Sequence, residues 1–448
     1  MQKDILLKKR ALSLIEQLRD RIIDPELCAR HRRRAVDFSR QCRLSFPVLV
    51  LLLLQKSLKS LQLRLHELLA HCGPQTRSLS VGAVTHARAK LCASVFDELN
   101  QQTLLPLVYG REHAELVQRW RGHRLVGVDS SVVRLPKSQA VAEVFGWAQS
   151  ANAHGPQEAH VLGRFSVVYD LLNELALDAK LAASRVSEER LAQEQLGCLQ
   201  AEDVLLNDRG YTSHCWLAAV RAQGAHFVSR CSRASFAVAQ SLFSADRAGV
   251  SVRATIQVNK KGKAECRRRG WPLTMTVRFV TVRLSSGELE VLVTSLLDEA
   301  VYPTREFADL YWRRWGQETY YRRLKGRMDL EHCSGQTVEA VQQDFAATVL
   351  LSNVESVVIG PAAEQLSVQT IQREQPVKIN RAVSMHALKT RLIDLLASQI
   401  PAEEVLSELS QWFQDNPVAV RARRKVERRV FSAAGSYRYQ RYLRKMVF

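Results

Sequence analysis

The sequence predicts a multidomain α/β protein, and three observations carry that expectation. The chain has 448 residues, too many for one small domain, and its 46% hydrophobic content supports real cores. Between residues 124 and 231, short apolar runs alternate with amphipathic stretches, as in a mixed sheet with helices packed on it. On both sides of that region, Leu and charge recur at helical spacing.

The elements follow in order. "LLKKRALSLIEQLRDRI", "PVLVLLLLQKSLKSLQLRLHELLAHC" and "SVGAVTHARAKL" read as helices. "RLVGVDSSVVRLP" is a strand carrying an aspartate it does not obviously need. "HVLGRFSVVYDLL" and "ELALDAKLAAS", split by Asn173, form a hairpin pair of strands. "SEERLAQEQLGCL" is a helix with a Ser N-cap. "DVLLNDRGYTSHCWLAAVRAQG" reads as strand, tight turn and helix, and "AHFVSRCS" as a fifth strand. Residues 233–300 break the alternation with three β-rich runs and read as an inserted β unit. "YPTREFADLYWRRWGQETYYRRLKGR" then reads as one helix, capped by Thr304 and ended by Gly326. A further helix, two amphipathic stretches and a basic tail complete the chain.

Net charge is +19, which points to a polyanionic partner rather than a small metabolite. The charge is clustered. Residues 421–448 hold ten Arg or Lys against Glu427, and Arg30 to Arg34 fall in the run "RHRRR". A third cluster surrounds "NKKGKAECRRRGW". Separated patches suit a long polymer touched at several places. The longest apolar run, 46–54, is far short of the ~20 residues a membrane span needs, so no membrane partner is expected. Nine cysteines without a C-x-x-C pair indicate reduced thiols and a cytoplasmic protein.

One stretch concentrates the chemistry. "YWRRWGQETYYRRLKGR", residues 311–327, holds six Arg or Lys and a single acid, Glu318. At ~100° per residue, Tyr311, Arg314, Glu318, Arg322 and Lys325 share one narrow helical face. Taken alone, this is a solvated face with Arg314–Glu318 and Glu318–Arg322 pairs. Asp129 and Asp208 change the reading, because each follows an apolar strand, where ligand sites of α/β sheets gather. Their local alternatives are an Asx-turn for Asp129 and a plain "NDRG" turn for Asp208. Three carboxylates together suit hard cations, and two Mg²⁺ ions roughly 3.5–4 Å apart are a known solution for phosphodiester chemistry. Cations beside them would hold phosphate.

Tyr311, Arg314, Glu318 and Lys325 also match the spacing Y-x2-R-x3-E-x6-K. With "GVDSSVVRLP", "VLLNDRGYTSHCWLAAV" and "VQQDFAATVLLSNV", the sequence resembles the DDE transposases of bacterial insertion sequences, family four. The resemblance runs from about residue 37 to 360. It implies an RNase H-like mixed-sheet catalytic core with a β-rich insertion. Asp129, Asp208 and Glu318 would be catalytic and hold two Mg²⁺ ions, with Mn²⁺ as a substitute. Tyr311, Arg314, Arg322, Lys325 and Arg209 would contact DNA, and Trp271 is a candidate for stacking on a flipped base. The partners implied are double-stranded DNA, as transposon-end inverted repeats and target DNA, and a second copy of the chain in a homodimer on DNA. The setting implied is bacterial cytoplasm, at the nucleoid. The organisation expected is a helical DNA-binding domain over 1–95, the first part of the core over 96–232, the insertion over 233–300, the second part of the core over 301–375, and a helical, basic region for DNA binding or dimerisation over 376–448. Two alternatives stay open: a metal-dependent nuclease on the same core, and a non-catalytic DNA binder derived from a transposase.

Overall fold

A nine-stranded mixed sheet organises the protein. The computed structural model describes residues 2–420 apart from 41, 57–58, 72–78, 150, 153–154, 157, 285–286 and 371–374. The basic tail 421–448 lies outside the described residues. The strands are β1 (Leu125–Leu135), β2 (His160–Asp170), β3 (Leu175–Ala183), β4 (Val204–Asn207), β5 (His226–Arg230), β6 (Ser251–Gln257), β7 (Thr274–Arg283) and β8 (Leu289–Thr294). Their order is β3-β2-β1-β4-β5-β8-β7-β6, and the short strand Trp147–Ala148 pairs with the start of β2. The β1–β4 and β4–β5 pairs are parallel and the others antiparallel.

The helices used below are α1 (Gln2–Ile23), α2 (Phe46–Gln55), α3 (Leu61–His71), α4 (Glu188–Gln195), α5 (His214–Ala222), α6 (Lys263–Arg269), α7 (Phe307–Trp312), α8 (Trp315–Gly326), α9 (Val338–Val358), α10 (Gly360–Thr370), α11 (Arg381–Ala397) and α12 (Ala402–Asp415). β4 is buried along its whole length because helices cover both faces of the sheet there, and its run "VLLN" starts with three apolar residues as such a strand requires. On one face Leu125, Val204 and Leu206 pack with Phe307, Leu310 and Tyr311. On the other, Val126, Val128 and Leu205 join Trp216 and Leu217 in the main core.

α9 is buried along nearly its full length and forms the axis of the helical layer. α1 packs against α9, α10, α11 and α12, so the first and last helices of the described chain share one core. No single helix among the described residues is long and apolar enough to cross a membrane.

Five expectations are corrected. Residues 233–300 do not form a unit of their own: β8 pairs with β5 through Leu292↔Arg230, Val293↔Ser229 and Thr294↔Val228, extending the central sheet. This segment also contains helices Ala237–Ala245 and α6. The expected helix over 47–72 is split between α2 and α3 at Lys56, whose φ of 37° ends the first helix. The expected helix after Tyr302 is a short 3₁₀ turn followed by α7 and α8. Between these two, the backbone tightens into successive i→i+3 bonds, Arg314 N to Tyr311 O at 3.1 Å and Gln317 N to Arg314 O at 3.0 Å. Thr304 is not an N-cap; its hydroxyl accepts from Arg278 at 2.7 Å and binds the Glu299 carboxylate. Finally, Asp129 is not at the exit of its strand, because β1 continues to Leu135 on its antiparallel pairing with β2. It lies instead where the parallel ladder with β4 ends.

Candidate active site

Asp129 and Asp208 come from neighbouring strands in matching register. β1 and β4 pair from Leu125↔Val204 to Gly127↔Leu206. Two residues further along each chain stand Asp129 and Asp208, on the same face of strands that run about 4.8 Å apart. Asp208 is the first residue past β4; its carboxylate accepts from Arg209 N at 2.8 Å and opens the turn Arg209–Tyr211. Asp129 accepts from Ser130 N at 2.8 Å.

α8 brings Glu318 over this pair. Gln317 Nε2 donates to the Val167 carbonyl at 3.0 Å, and Val167 is the β2 partner of Asp129. The Tyr321 hydroxyl donates to the Asp129 carbonyl and accepts from Val167 N at 3.2 Å. Glu318 lies between these two anchors on the helix. Gly127 permits the approach, since a Cβ there would stand 2.9 Å from Gln317 Oε1. A larger residue at 127 would force the Gln317 amide to move from its place against the strand.

The cations close in from the same helix. Arg314 Nη2 pairs with Glu318 Oε1 at 3.0 Å, with the Arg314 side chain only 4% exposed. Its guanidinium lies over the Tyr311 and Trp315 rings, and its Nε has no partner. Burial works against the Arg314 charge, but Tyr311, Asp208 and Glu318 hold its pKa above the ordinary value. The Tyr311 hydroxyl donates to the carbonyl of Asn207, the residue before Asp208, at 3.2 Å. Lys325 Nζ donates to Ser131 Oγ at 2.7 Å, two residues beyond Asp129 on the same strand. Burial lowers the Lys325 pKa, opposed by Glu331.

Asp129 is the perturbed acid. Burial pushes its pKa up to about 6; the Ser130 N–H and Arg314 pull it down, while Glu188 and Asp208 push it further up. Asp129, Asp208, Arg314 and Glu318 thus belong to one electrostatic neighbourhood. Among the described residues, no three His, Cys, Asp or Glu side chains converge closely enough to hold a metal ion as they stand. Glu318 is turned to Arg314.

The remaining expected residues fall elsewhere. Arg322 is exposed on the flank of α8 that faces Glu174 and Arg323, because Tyr321 occupies the position toward Asp129. Arg209 is exposed and lines a groove beside Asp208 with Arg230 and Glu290. Trp271 is half-buried against the core under Arg269, at 5.8 Å, and no hydrogen bond or ring contact joins it to the acids. Sequence reasoning missed Glu188 and Arg164. Arg164 Nη1 reaches Glu188 Oε1 at 2.5 Å and Ser130 Oγ at 2.9 Å, tying the first turn of α4 to the residue after Asp129. The only sequence signal was the acidic start of a capped helix, which says nothing of a partner on β2. Tyr321 is buried, and nothing in the sequence announces its hydroxyl contact to the Asp129 carbonyl.

Residues 120–354, more than half of the chain, match the family model described as the transposase DDE domain. The chain belongs to the DDE transposase domain family. Asp129, Asp208 and Glu318 all lie within the matched span. Among solved structures, the chain is similar to a piggyBac transposase synaptic complex with hairpin DNA. Identity there is 9%, the alignment covers 92% of this chain and 85% of that one, and the TM-score is 0.38. No curated protein matches.

DDE transposases generally use divalent metals, and Asp129, Asp208 and Glu318 fit such an ion in their donor chemistry, though not in their convergence as they stand. All three acids offer carboxylate oxygens, the hard donors that Mg²⁺ takes. Burial, with Glu188 and Asp208 nearby, raises the Asp129 pKa, and a divalent cation bound there would lower it again.

Proposed function

We propose that this protein is a cut-and-paste DNA transposase of insertion-sequence family four, with an RNase H-like core. It binds the terminal inverted repeats of its element, cleaves the ends and joins them to target DNA. The observation that carries the reading is the in-register pair Asp129 and Asp208 at the end of the β1–β4 ladder, with Glu318 docked above them.

Asp129, Asp208 and Glu318 would hold two Mg²⁺ ions, or Mn²⁺ in their place. Such ions generate the attacking oxygen and stabilise the leaving one in phosphodiester displacement. The protein's own part is positioning. Tyr321 and Gln317 fix α8 on the strands, so the three acids keep their relative heights. Arg314 is buried, flanked by two aromatic rings and planar, which suits it to hold two oxygens of one phosphate once Glu318 has left it. Lys325, set beside Ser131, offers a second contact to the same DNA end. Tyr311, through Asn207, steadies the turn that carries Asp208.

Basic α6 and Arg209 supply further phosphate contacts. α6 stands against α5, the helix that follows the Asp208 turn: Cys266 Sγ is 3.5 Å from Cys215 Sγ. Trp271, at the end of α6, is the residue offered for stacking on a displaced base. We further propose that the protein works as a homodimer on DNA in the bacterial cytoplasm. The N-terminal helices, the strongly basic tail and the segment 376–420 would supply its DNA-binding and dimer surfaces.

The test uses a labelled duplex carrying the inverted repeat that flanks the gene, incubated with purified protein and Mg²⁺. Nicking at the repeat boundary followed by joining to a target plasmid supports the transposase. Nicking without joining gives the nuclease, and binding without nicking gives the non-catalytic DNA binder.

A further inference from the structure

The flank of α8 turned away from the acids borders an open groove of about 600 Å³. It runs between α1, α8, the α9–α10 junction and the β2–β3 turn. Some of its cations are answered: Lys3 pairs with Glu364 at 2.6 Å, and Arg323 and Arg381 share Glu174 at 2.9 and 3.1 Å. Arg10, Arg322, Arg327 and Lys378 also line it, and none of the four has an ion pair among the described residues.

Arg10 is the anomaly. It is 8% exposed, its Nε has no partner, and among the described residues no hydrogen bond or carboxylate holds the guanidinium. Its electrostatic neighbours offer no charge to match. His113 is 1% exposed with both ring nitrogens unpartnered, and burial and Arg10 both lower its pKa. The Tyr109 hydroxyl is committed to Asp170 at 2.7 Å. A guanidinium nitrogen buried without a partner is costly, and an anion entering the groove would answer the Arg10 charge. Around the acids the opposite holds, for there Arg314 already has Glu318.

We propose that this groove is a second phosphate-binding site, separate from the acid cluster. Arg10 takes phosphate oxygens at its depth, and Arg322, Arg327 and Lys378 hold the rest of the anion at its rim. The phosphate belongs either to the backbone of a duplex lying along this flank of α8 or to a free phosphorylated molecule. The inference rests on the charges alone and does not require the transposase reading.

Thermal melts of the parental protein, Arg10→Leu and Arg327→Gln test it, run in phosphate against chloride of equal ionic strength. A parallel arm uses a 12-base-pair duplex lacking the inverted repeat. In chloride, Arg10→Leu should melt at or above the parental temperature, since it removes an unanswered charge. Phosphate or the duplex should raise the parental melting temperature by several degrees. Calorimetric affinity should drop at least tenfold in Arg10→Leu and severalfold in Arg327→Gln, whose exposed side chain leaves the fold alone. A response to phosphate identifies a free phosphate group; a response to duplex alone identifies a DNA backbone. Equal responses in all three proteins, or none in the parental one, would overturn the proposal. So would an Arg10→Leu protein that melts well below the parental one in chloride while Arg327→Gln binds normally, because Arg10 would then be a packing residue.

Discussion

Asp344 and Asp129 are both acids drawn out of water near an arginine, and their surroundings differ in kind. Asp344, on α9, faces Arg88 Nη2 at 3.2 Å and accepts from Ser334 N at 2.6 Å and Ser334 Oγ at 2.9 Å. Arg88 is itself saturated, by Gln343, Ser334 and the Ala340 carbonyl. Burial would raise the Asp344 pKa, but Arg88, Lys56 and Ser334 hold it below the usual carboxylate range. Asp129 has one backbone N–H, and its arginine is shared with Glu318 and Asp208; burial prevails and its pKa rises to about 6. A compensated acid holds the helical layer together. Asp129, whose charge burial disfavours and no dedicated partner restores, is the one the proposed cation would answer.

The largest effect that separates the two is on catalysis. Asp129→Ala, Asp208→Ala and Glu318→Ala should each reduce single-turnover cleavage of a bound end by at least about 10³-fold, with end binding largely kept. Asp344→Ala should show the reverse pattern. It strands Arg88 in the core and should cost about 3–5 kcal/mol in denaturant melts, with chemistry unchanged in whatever remains folded. If Asp344→Ala proved as stable as the parental protein, the contrast between the acids would fail.

Arg314 sharpens the comparison at intermediate scale. Arg314→Ala should slow cleavage strongly, and Arg314→Lys should recover part of the rate, because an ammonium keeps the charge without the planar fork. Parental rates in both would return Arg314 and Glu318 to an ordinary helical pair, a contact that contributes at most about 1 kcal/mol.

The smallest effect is on stability against pH. Asp129 has a folded pKa near 6, above its unfolded value near 3.9, so the folded state binds the extra proton between these values. Its contribution to stability is therefore lost as pH rises through that window. Asp129→Asn should melt higher than the parental protein at pH 7, by about 1–2 kcal/mol, and the gain should fade toward pH 4. Equal melting curves at pH 7 would mean that Arg314 already compensates Asp129.

How far the sequence shows this can be read residue by residue. Asp129, Asp208 and Glu318 are legible because each interrupts a local pattern: an acid in an apolar strand, an acid after one, and one acid among six cations. Their register is not legible, since it depends on β1 pairing with β4 across some 80 residues of chain. Arg314 pairs with Glu318 as the helical wheel expects, whereas Lys325 reaches Ser131 on β1. The wheel misplaces Arg322 because Tyr321, anchored on the Asp129 carbonyl, takes the position toward the acids and leaves Arg322 exposed. β6–β8 read as strands, but only long-range pairing shows that they complete the central sheet. Glu188 shows no sign of its place, which follows from Arg164 on a different strand.

The proposed function requires Asp129, Asp208 and Glu318 to bind a divalent cation jointly. Calorimetric titration of Mn²⁺ into the DNA-free protein at pH 7, with thermal melts alongside, tests it directly. Mn²⁺ should bind saturably and raise the parental melting temperature, and binding should be lost in Asp129→Asn, Asp208→Asn and Glu318→Gln while the Arg88–Asp344 cluster stays intact. Equal binding in the parental protein and all three variants would place the metal elsewhere and contradict it.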